Sequence, residues 1–410
     1  MGSLFHWDQR NPINQETMRI LNILPSLAPE TGGPVTGVQK ICKAFAAAGI
    51  EVVLFTTDWP KSDSPALLPI EDVEEGFKIV KFSSRPSWLT SRLPRSPDLI
   101  EAVKHRSCDF DIIIIHSLWN PLATFVMRKL RQNGIRYCLM PHGMLDPVVL
   151  KRNRWKKLPW MYLWERANVE AASLMIFNTE AEKEKALQTG WCFRQTFVFP
   201  HIVDLSEWRE LPSRSMFESE FPHVKGREVV LFVGRINWVK NLDKLLEALA
   251  IVHRTRPSAM LVCVGPDSDG YRSKLEKYAQ TLGIQESLLF TGMLNSEEIK
   301  TAYSRGDVLA LVSQKENFGL VAAEALACGL PVVLSEGVGI GKDLPQGGPV
   351  RCVQPAPDEI AAALIGMLER STSQGLPDPQ ARALAEKTWG RSSVKPLLEA
   401  FESAIAERIQ

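Results

Sequence analysis

Two carboxylates, Glu316 and Glu324, stand eight residues apart in "KENFGLVAAEALACGLPVV" (315–333). Around the second lie Val321, Ala322, Ala323, Ala325, Leu326 and Ala327, small or apolar on every side. A lone glutamate in so apolar a helix needs a partner or a ligand, because an unpaired carboxylate is costly to bury. The preceding run "VLALVS" (308–313) reads as a strand, and Gly329 stands where a helix ends. Glu316 therefore belongs to a strand-to-helix loop and Glu324 to the body of the helix. Eight residues advance about 80° beyond two full turns, so the two do not share a helical face. They can still serve one long ligand lying across the helix N-terminus, where free N–H groups favour a phosphate. A carboxylate on either side then accepts from hydroxyl groups, the layout of a sugar and a ribose flanking a diphosphate. The plainer alternative is a capping glutamate plus one on an exposed helical face.

Arg235 and Lys240 lie directly after the apolar run "VVLFVG" (229–234) and before a helical pattern. Two cations at such a turn suit a diphosphate, although an isolated pair is as simply read as solvated charge. The glutamates on the neighbouring rim decide for a ligand. His142 ends "RYCLMPH" (136–142) and precedes Gly143. A lone histidine is as readily a core residue, and the strand-end position tips the reading toward a site. His116 and Ser117 end "DIIIIHS" (111–117) on the same rim and are candidate acceptor contacts. Asn120 before Pro121 reads as a helix N-cap.

Residues of these types converge only if the backbone brings their loops together. Apolar runs at 18–25, 51–57, 111–117, 136–142, 173–178 and 196–200 alternate with helical stretches such as 33–49 and 121–134. Strands apolar on consecutive residues suit parallel sheets covered on both faces. After a polar, aperiodic stretch at 206–228, the alternation restarts with strands at 229–234, 259–265, 288–292, 308–313 and 331–335. The pattern predicts an α/β protein of two doubly wound, Rossmann-like domains facing across a cleft. The expected boundaries are a flexible tail at 1–17, an acceptor-binding domain at 18–205, a linker at 206–228 and a donor-binding domain at 229–390. A closing helix at 391–410 is expected to pack back on the first domain. A chain of 410 residues exceeds one ordinary core, which agrees. Ligands of such sheets bind beyond the carboxyl ends of the strands, so the residues above fall on facing rims.

The bulk numbers exclude several classes. A formal net charge of +1 offers no field for nucleic acid. No run approaches the roughly 20 apolar residues of a membrane span, and the first 17 lack the apolar core of a secretory signal. Seven cysteines are scattered singly with no CxxC pair, as expected for thiols in a reducing cytoplasm.

Together, "ENFGLVAAEALACGLPVV", "FVGRINWVKN", "PHGMLDP" and "ETGGPVTGVQKICKAFAAAGIEVVLFTT" resemble the retaining glycosyltransferases of family 4, of GT-B fold. The resemblance covers nearly the whole chain. It implies that Glu316 bonds the hydroxyls of the donor sugar, Glu324 holds the ribose, and Arg235 and Lys240 clamp the diphosphate. Backbone groups of Asn317, Phe318, Gly319 and Leu320 are then expected to complete the phosphate site. Gly32 and Gly33 match the family's glycine loop, where the absence of Cβ lets backbone approach a phosphate, and His142 matches the histidine beside the transferred sugar. Gly292 and Met293 are the expected neighbours of the base. The implied substrates are a UDP- or GDP-sugar and a growing or lipid-linked glycan of polysaccharide biosynthesis. Neither cofactor nor metal is expected, the nucleotide-sugar being a substrate. The implied mechanism is front-face attack, with the cations meeting charge that grows on the leaving diphosphate. Other readings are a nucleotide-sugar epimerase of related fold, or a catalytically silent nucleotide-sugar-binding subunit, which has no need of His142, Arg235, Lys240, Glu316 and Glu324 together.

Two carboxylate motifs invite a metal reading. "DFD" (109–111) precedes its strand, at the end away from the cleft, and "PDSDG" (266–270) precedes a helix where Asp269 is a natural N-cap. A different feature is "KRNRWKKLPWMYLWER" (151–166), where Lys151, Arg152, Arg154, Lys156 and Lys157 mix with Trp155, Trp160, Tyr162 and Trp164. Such a mixture suits the headgroup layer of an anionic membrane, and equally a helix whose aromatics pack inward. The expected location is cytoplasmic, peripheral on the inner face of the membrane.

Overall fold

The computed structural model describes residues 18–28, 34–59, 70–74, 76–86, 94–151, 154–200, 202–203, 205–267, 270–390 and 394–406. The tail at 1–17 and the glycines Gly32 and Gly33 lie outside the described residues.

In chain order, the first half forms strands β1 (Arg19–Ile23), β2 (Glu51–Thr57), β3 (Ile70–Glu74), β4 (Phe77–Phe82), β5 (Arg85–Pro86), β6 (Pro94–Arg95), β7 (Ile112–His116), β8 (Cys138–Met140), β9 (Leu174–Phe177) and β10 (Thr196–Val198). Eight of them make one sheet in the order β10-β9-β8-β7-β1-β2-β4-β3, while β5 and β6 pair apart. All neighbours in the large sheet run parallel except β3, which is antiparallel to β4. The second half forms β11 (Glu228–Val233), β12 (Ala259–Val264), β13 (Leu288–Gly292), β14 (Val308–Leu311), β15 (Val332–Ser335) and β16 (Val350–Val353). These are wholly parallel, in the order β13-β12-β11-β14-β15-β16. The inner strands are buried along their length, which explains their unbroken apolar runs. The edge strands β3 and β16, and β4 next to β3, carry charge, and the sequence reading passed over them.

Chain order reverses at β1/β7 in the first sheet and at β11/β14 in the second. A doubly wound sheet opens its crevice at such a point, because the helices on the two sides leave in opposite directions. The loops after β11 and β14 are thereby neighbours, and they carry the expected cations and glutamates.

The expected linker at 206–228 is corrected. It contains a helix, Arg214–Glu220, and Trp208, Phe217 and Val224 are buried in the second core. The buried Arg305 guanidinium donates to the carbonyls of Val224 and Arg227 at 2.6 and 2.7 Å. These apolar anchors are too widely spaced to show a period, so the stretch reads as polar although it is docked. The closing helix, Val394–Ala406, places Val394, Leu397, Phe401 and Ala404 in a core cluster of the first sheet, with Phe401 against Phe45 at 6.2 Å between ring centres.

Candidate active site

On the second domain, the chain leaves β11 through Gly234 and exposes Arg235 on the rim. A short turn, Trp238–Lys240, leads to Asn241, which adopts φ 51° and opens the helix Leu242–Val252. The Asn241 amide donates to Val312 O at 3.0 Å, and Gln314 N–H donates to Val239 O at 2.8 Å. These bonds join the loops after β11 and β14. They place Lys240 against Glu316, and the two side chains form an ion pair. Glu316 is pinned by its backbone as well: its N–H donates to Gly337 O at 2.8 Å and its carbonyl accepts from Gly339 N–H at 2.9 Å. Gly319 then takes φ 101° and starts the helix Leu320–Cys328. A Cβ at Gly319 would stand 2.7 Å from Val338 Cγ1, so only glycine fits.

Glu324 lies in the second turn of that helix, half-buried. Its Oε2 accepts from the Tyr303 hydroxyl at 3.0 Å. Burial pushes its carboxyl up to about 7, against the pull of Lys40 and the Tyr303 bond, while Glu207 adds to the rise. Lys40 belongs to the first-domain helix Pro34–Ala47. Neither Tyr303 nor Lys40 was found from sequence, since each sits in a helix with no local sign of a distant carboxylate.

On the first domain, His142 and Gly143 follow β8 with φ 50° and 79°. The described non-glycine residues at positive φ are Ser117, Trp119, His142 and Asn241. All four follow the carboxyl ends of β7, β8 or β11, and such strain collects where side chains are held for a purpose. His116 is corrected from a candidate acceptor contact. It is wholly buried, with Nε2 on Asn22 Oδ1 at 2.9 Å and Nδ1 on His142 Nε2 at 3.1 Å, so it stands behind His142. Ser117 is buried too, its hydroxyl 3.3 Å from Leu118 O and 3.8 Å from Met144 Sδ. Asn120 caps the helix Pro121–Gln132, as expected.

The rims meet. Lys315 Nζ lies 3.0 Å from Asp146 Oδ2, and Glu180 N–H donates to Asp343 Oδ2 at 3.3 Å. Asn317 lies so close to Gly143 that a Cβ on the glycine would stand 2.6 Å from Asn317 Oδ1. Glu316 and His142 are thus each one residue from a contact that crosses the cleft.

Residues 31–207 match the family described as Glycosyltransferase Family 4, and residues 214–385 match Glycosyl transferases group 1. A D-inositol 3-phosphate glycosyltransferase from Kineococcus radiotolerans is 30% identical over 409 residues, covering 92% of each chain. This chain is a group 1 glycosyltransferase. Its fold is GT-B. A sucrose-phosphate synthase from Thermosynechococcus elongatus superposes with a TM-score of 0.71 at 21% identity, over 95% of this chain and 100% of the other. Anabaena HepE in complex with UDP and glucose gives 0.69 at 21% identity, over 94% and 100%.

In the glycosyltransferase, Met293 is exposed at the end of β13, beside Gly292, whose carbonyl accepts from Gly265 N–H at 2.8 Å. Phe318 is buried beneath its loop, edge-on to Trp389. The cap expected of Asp269 lies outside the described residues. The helix Tyr271–Thr281 is opened by Gly270, and Asp267 accepts from Arg272 N–H at 3.2 Å. Asp111 accepts from Arg19 N–H at the amino end of the sheet, remote from the rim. Among the described residues, no three His, Cys, Asp or Glu side chains are gathered as a cation requires. No described helix is long and apolar enough to cross a membrane.

The aromatic segment of the glycosyltransferase divides. Trp160 and Trp164 pack with Phe125, and the Trp160 indole donates to Thr124 Oγ1 at 3.2 Å. Trp155, Tyr162 and Leu163 point outward, 74%, 69% and 63% exposed. Pro159 lacks an N–H inside the helix, and a π-helical turn, Met161–Glu165, follows it.

Proposed function

We propose that the protein is a retaining hexosyltransferase that moves a sugar from a UDP- or GDP-sugar to the hydroxyl of a growing or lipid-linked glycan. One observation carries this reading: Lys240 and Glu316 pair at the mouth of the helix opened by Gly319, beside the loop that bears Arg235. A diphosphate entering there takes Lys240 and Arg235, and frees Glu316 to accept from the sugar hydroxyls. Glu324 accepts from the ribose hydroxyls one turn deeper, and His142 faces the sugar from the other rim.

In the reaction, the bond between the anomeric carbon and the phosphate oxygen breaks on the face where the acceptor oxygen forms its own bond. The acceptor proton passes to a phosphate oxygen, and the electron pair of the broken bond stays on the leaving diphosphate. Arg235, Lys240 and the free N–H groups of the helix Leu320–Cys328 stabilise that charge. These groups suffice without a divalent cation or a cofactor. A lipid-borne acceptor accords with the outward Trp155, Tyr162 and Leu163 in a segment with five basic residues.

A thermal-shift panel of UDP, GDP, ADP and dTDP identifies the base, since a bound nucleotide raises apparent stability by mass action. Transfer is then measured with the matching sugars, with the anomeric configuration read by NMR. Retention, with full activity in excess EDTA, is the expected result. Inversion, or activity lost in EDTA and restored by magnesium or manganese, overturns it.

A further inference from the structure

One carboxylate holds both loops that frame His142. Glu182 projects from the helix Glu180–Leu187, whose cap residue Thr179 accepts from Glu182 N–H at 3.0 Å. Its Oε1 accepts from Gly143 N–H, at the turn after β8. Its Oε2 accepts from Asn178 N–H at 2.7 Å, at the end of β9. The Asn178 amide reaches His142 Nδ1 at 3.5 Å, and His142 Nε2 lies 3.1 Å from His116 Nδ1. The row ends at Asn22 Oδ1, 2.9 Å from His116 Nε2. With that oxygen accepting, His116 carries its proton on Nε2 and its bare Nδ1 accepts from His142 Nε2–H. Asn178 then donates to His142 Nδ1, so each bond has one donor and one acceptor.

Glu182 is 5% exposed, and burial raises its carboxyl above the ordinary value, offset by the two N–H groups and by Lys185. Lys185 in turn lies 3.5 Å from Asp146, which meets Lys315 across the cleft. Burying a carboxylate is expensive unless it is fully hydrogen-bonded. Here each carboxylate oxygen has its own N–H donor, one from each of two separate strand ends.

We infer that Glu182 is a positioning residue for His142: its two oxygens fasten the ends of β8 and β9 together and so set the pose and tautomer of the His142 ring. In the proposed transfer, on which the kinetic consequence rests, this aligns the sugar and leaves nucleotide binding on the other domain untouched.

Glu182→Gln is the direct test, because glutamine keeps the volume and turns one acceptor into a donor facing an N–H. Glu165→Gln is the control. Glu165 is a second buried carboxylate of the same domain, accepting from Trp119 N–H at 2.7 Å and the Thr124 hydroxyl at 2.9 Å. Ring-nitrogen NMR of 15N-histidine protein reads the tautomers of the seven histidines, with His142 assigned from His142→Asn. Glu182→Gln is expected to move the His142 ring signals and to lower kcat about tenfold or more, with nucleotide Kd within about twofold. Glu165→Gln should leave both the ring signals and kcat alone. Wild-type ring signals in Glu182→Gln, or an equal loss in Glu165→Gln, overturn the assignment. If Glu182→Gln does not fold, Glu182→Asp, too short to span both N–H groups, carries the same expectation. A wild type that transfers no sugar sinks the proposed function, while the ring signals still decide on Glu182.

Discussion

At the scale of single residues, Glu316 and Glu324 differ in what surrounds them. Glu316 is neutralised by Lys240, so its replacement leaves a cation still able to meet phosphate. Glu316→Gln is therefore expected to keep free-nucleotide affinity and to lose most turnover; equal loss of nucleotide binding would show the two roles reversed. Glu324 accepts from the Tyr303 hydroxyl and feels Lys40, yet burial pushes its carboxyl up to about 7 from 4.5. A ribose diol needs the ionised form as double acceptor. Nucleotide affinity in wild type should thus weaken as pH falls from about 8 to 6, with Glu324→Gln weak and flat over the same range. Calorimetric titration at several pH values checks this, and a pH-independent wild type would remove Glu324 from the ribose. The linkage to stability has the opposite sense. A carboxyl raised to about 7 keeps its proton in the folded state while the unfolded chain releases it near 4.5, so the protein loses stability as pH rises between those values. Glu165, also pushed up to about 7 by burial, acts in the same direction, each by about 3 kcal/mol. Melting in Glu165→Gln should depend less steeply on pH across that window.

At the scale of elements, the phosphate site is a matter of one glycine. Gly319 holds φ 101° with Val338 against its missing Cβ. Gly319→Ala is expected to cost about 1–3 kcal/mol in strain and to push the helix N-terminus out of line. Lower Tm and lost nucleotide affinity should appear together; a stable variant with normal affinity would mean that the helix end does not touch phosphate. The helical segment at 154–171 poses a separate question. Its aromatic residues are divided between inward Trp160 and Trp164 and outward Trp155 and Tyr162, so inward packing accounts for half of them. Vesicles of anionic lipid should retain the protein at low salt and release it at high salt. Changing Lys151, Arg152, Arg154, Lys156 and Lys157 together to Gln should abolish retention, as each basic residue near such a surface contributes about 1 kcal/mol. Wild type that stays with the soluble fraction at low salt would favour a soluble acceptor.

At the scale of the molecule, the two domains touch through charges set next to the chemistry. Asp146 is buried and faces both Lys185 and Lys315, the latter adjoining Glu316. The Lys315 side chain is 37% exposed, so the pair is partly screened and its loss should be modest. Lys315→Gln is expected to lower kcat/KM by about two- to fivefold, and to make the remaining activity less sensitive to added salt than in wild type. Unchanged activity at low salt would mean that this ion pair does not assist transfer.

The chain by itself determined the two doubly wound sheets, the cleft between them and the rim residues Arg235, Lys240, Glu316 and Glu324. It could do so because buried parallel strands must be apolar on both faces, and their carboxyl-end loops must carry what the core cannot. Gly319 and Gly329 were legible for a related reason, since positive φ leaves glycine little competition. Tertiary structure alone decided the rest. The strands β3 and β4 and the docked stretch at 206–228 obey no strong period, because charged residues interrupt the two strands and the docked stretch hangs on a few widely spaced apolar anchors. His116 looked like a rim residue from its strand end, yet the turn at His142 covers it and makes it a partner instead of a contact. Tyr303 on Glu324, Lys315 on Asp146 and Glu182 under Gly143 join residues 21, 169 and 39 positions apart. Periodicity reports only which face of its own element a residue occupies. Which distant element meets that face is fixed by the packing of two sheets, and no local spacing encodes it.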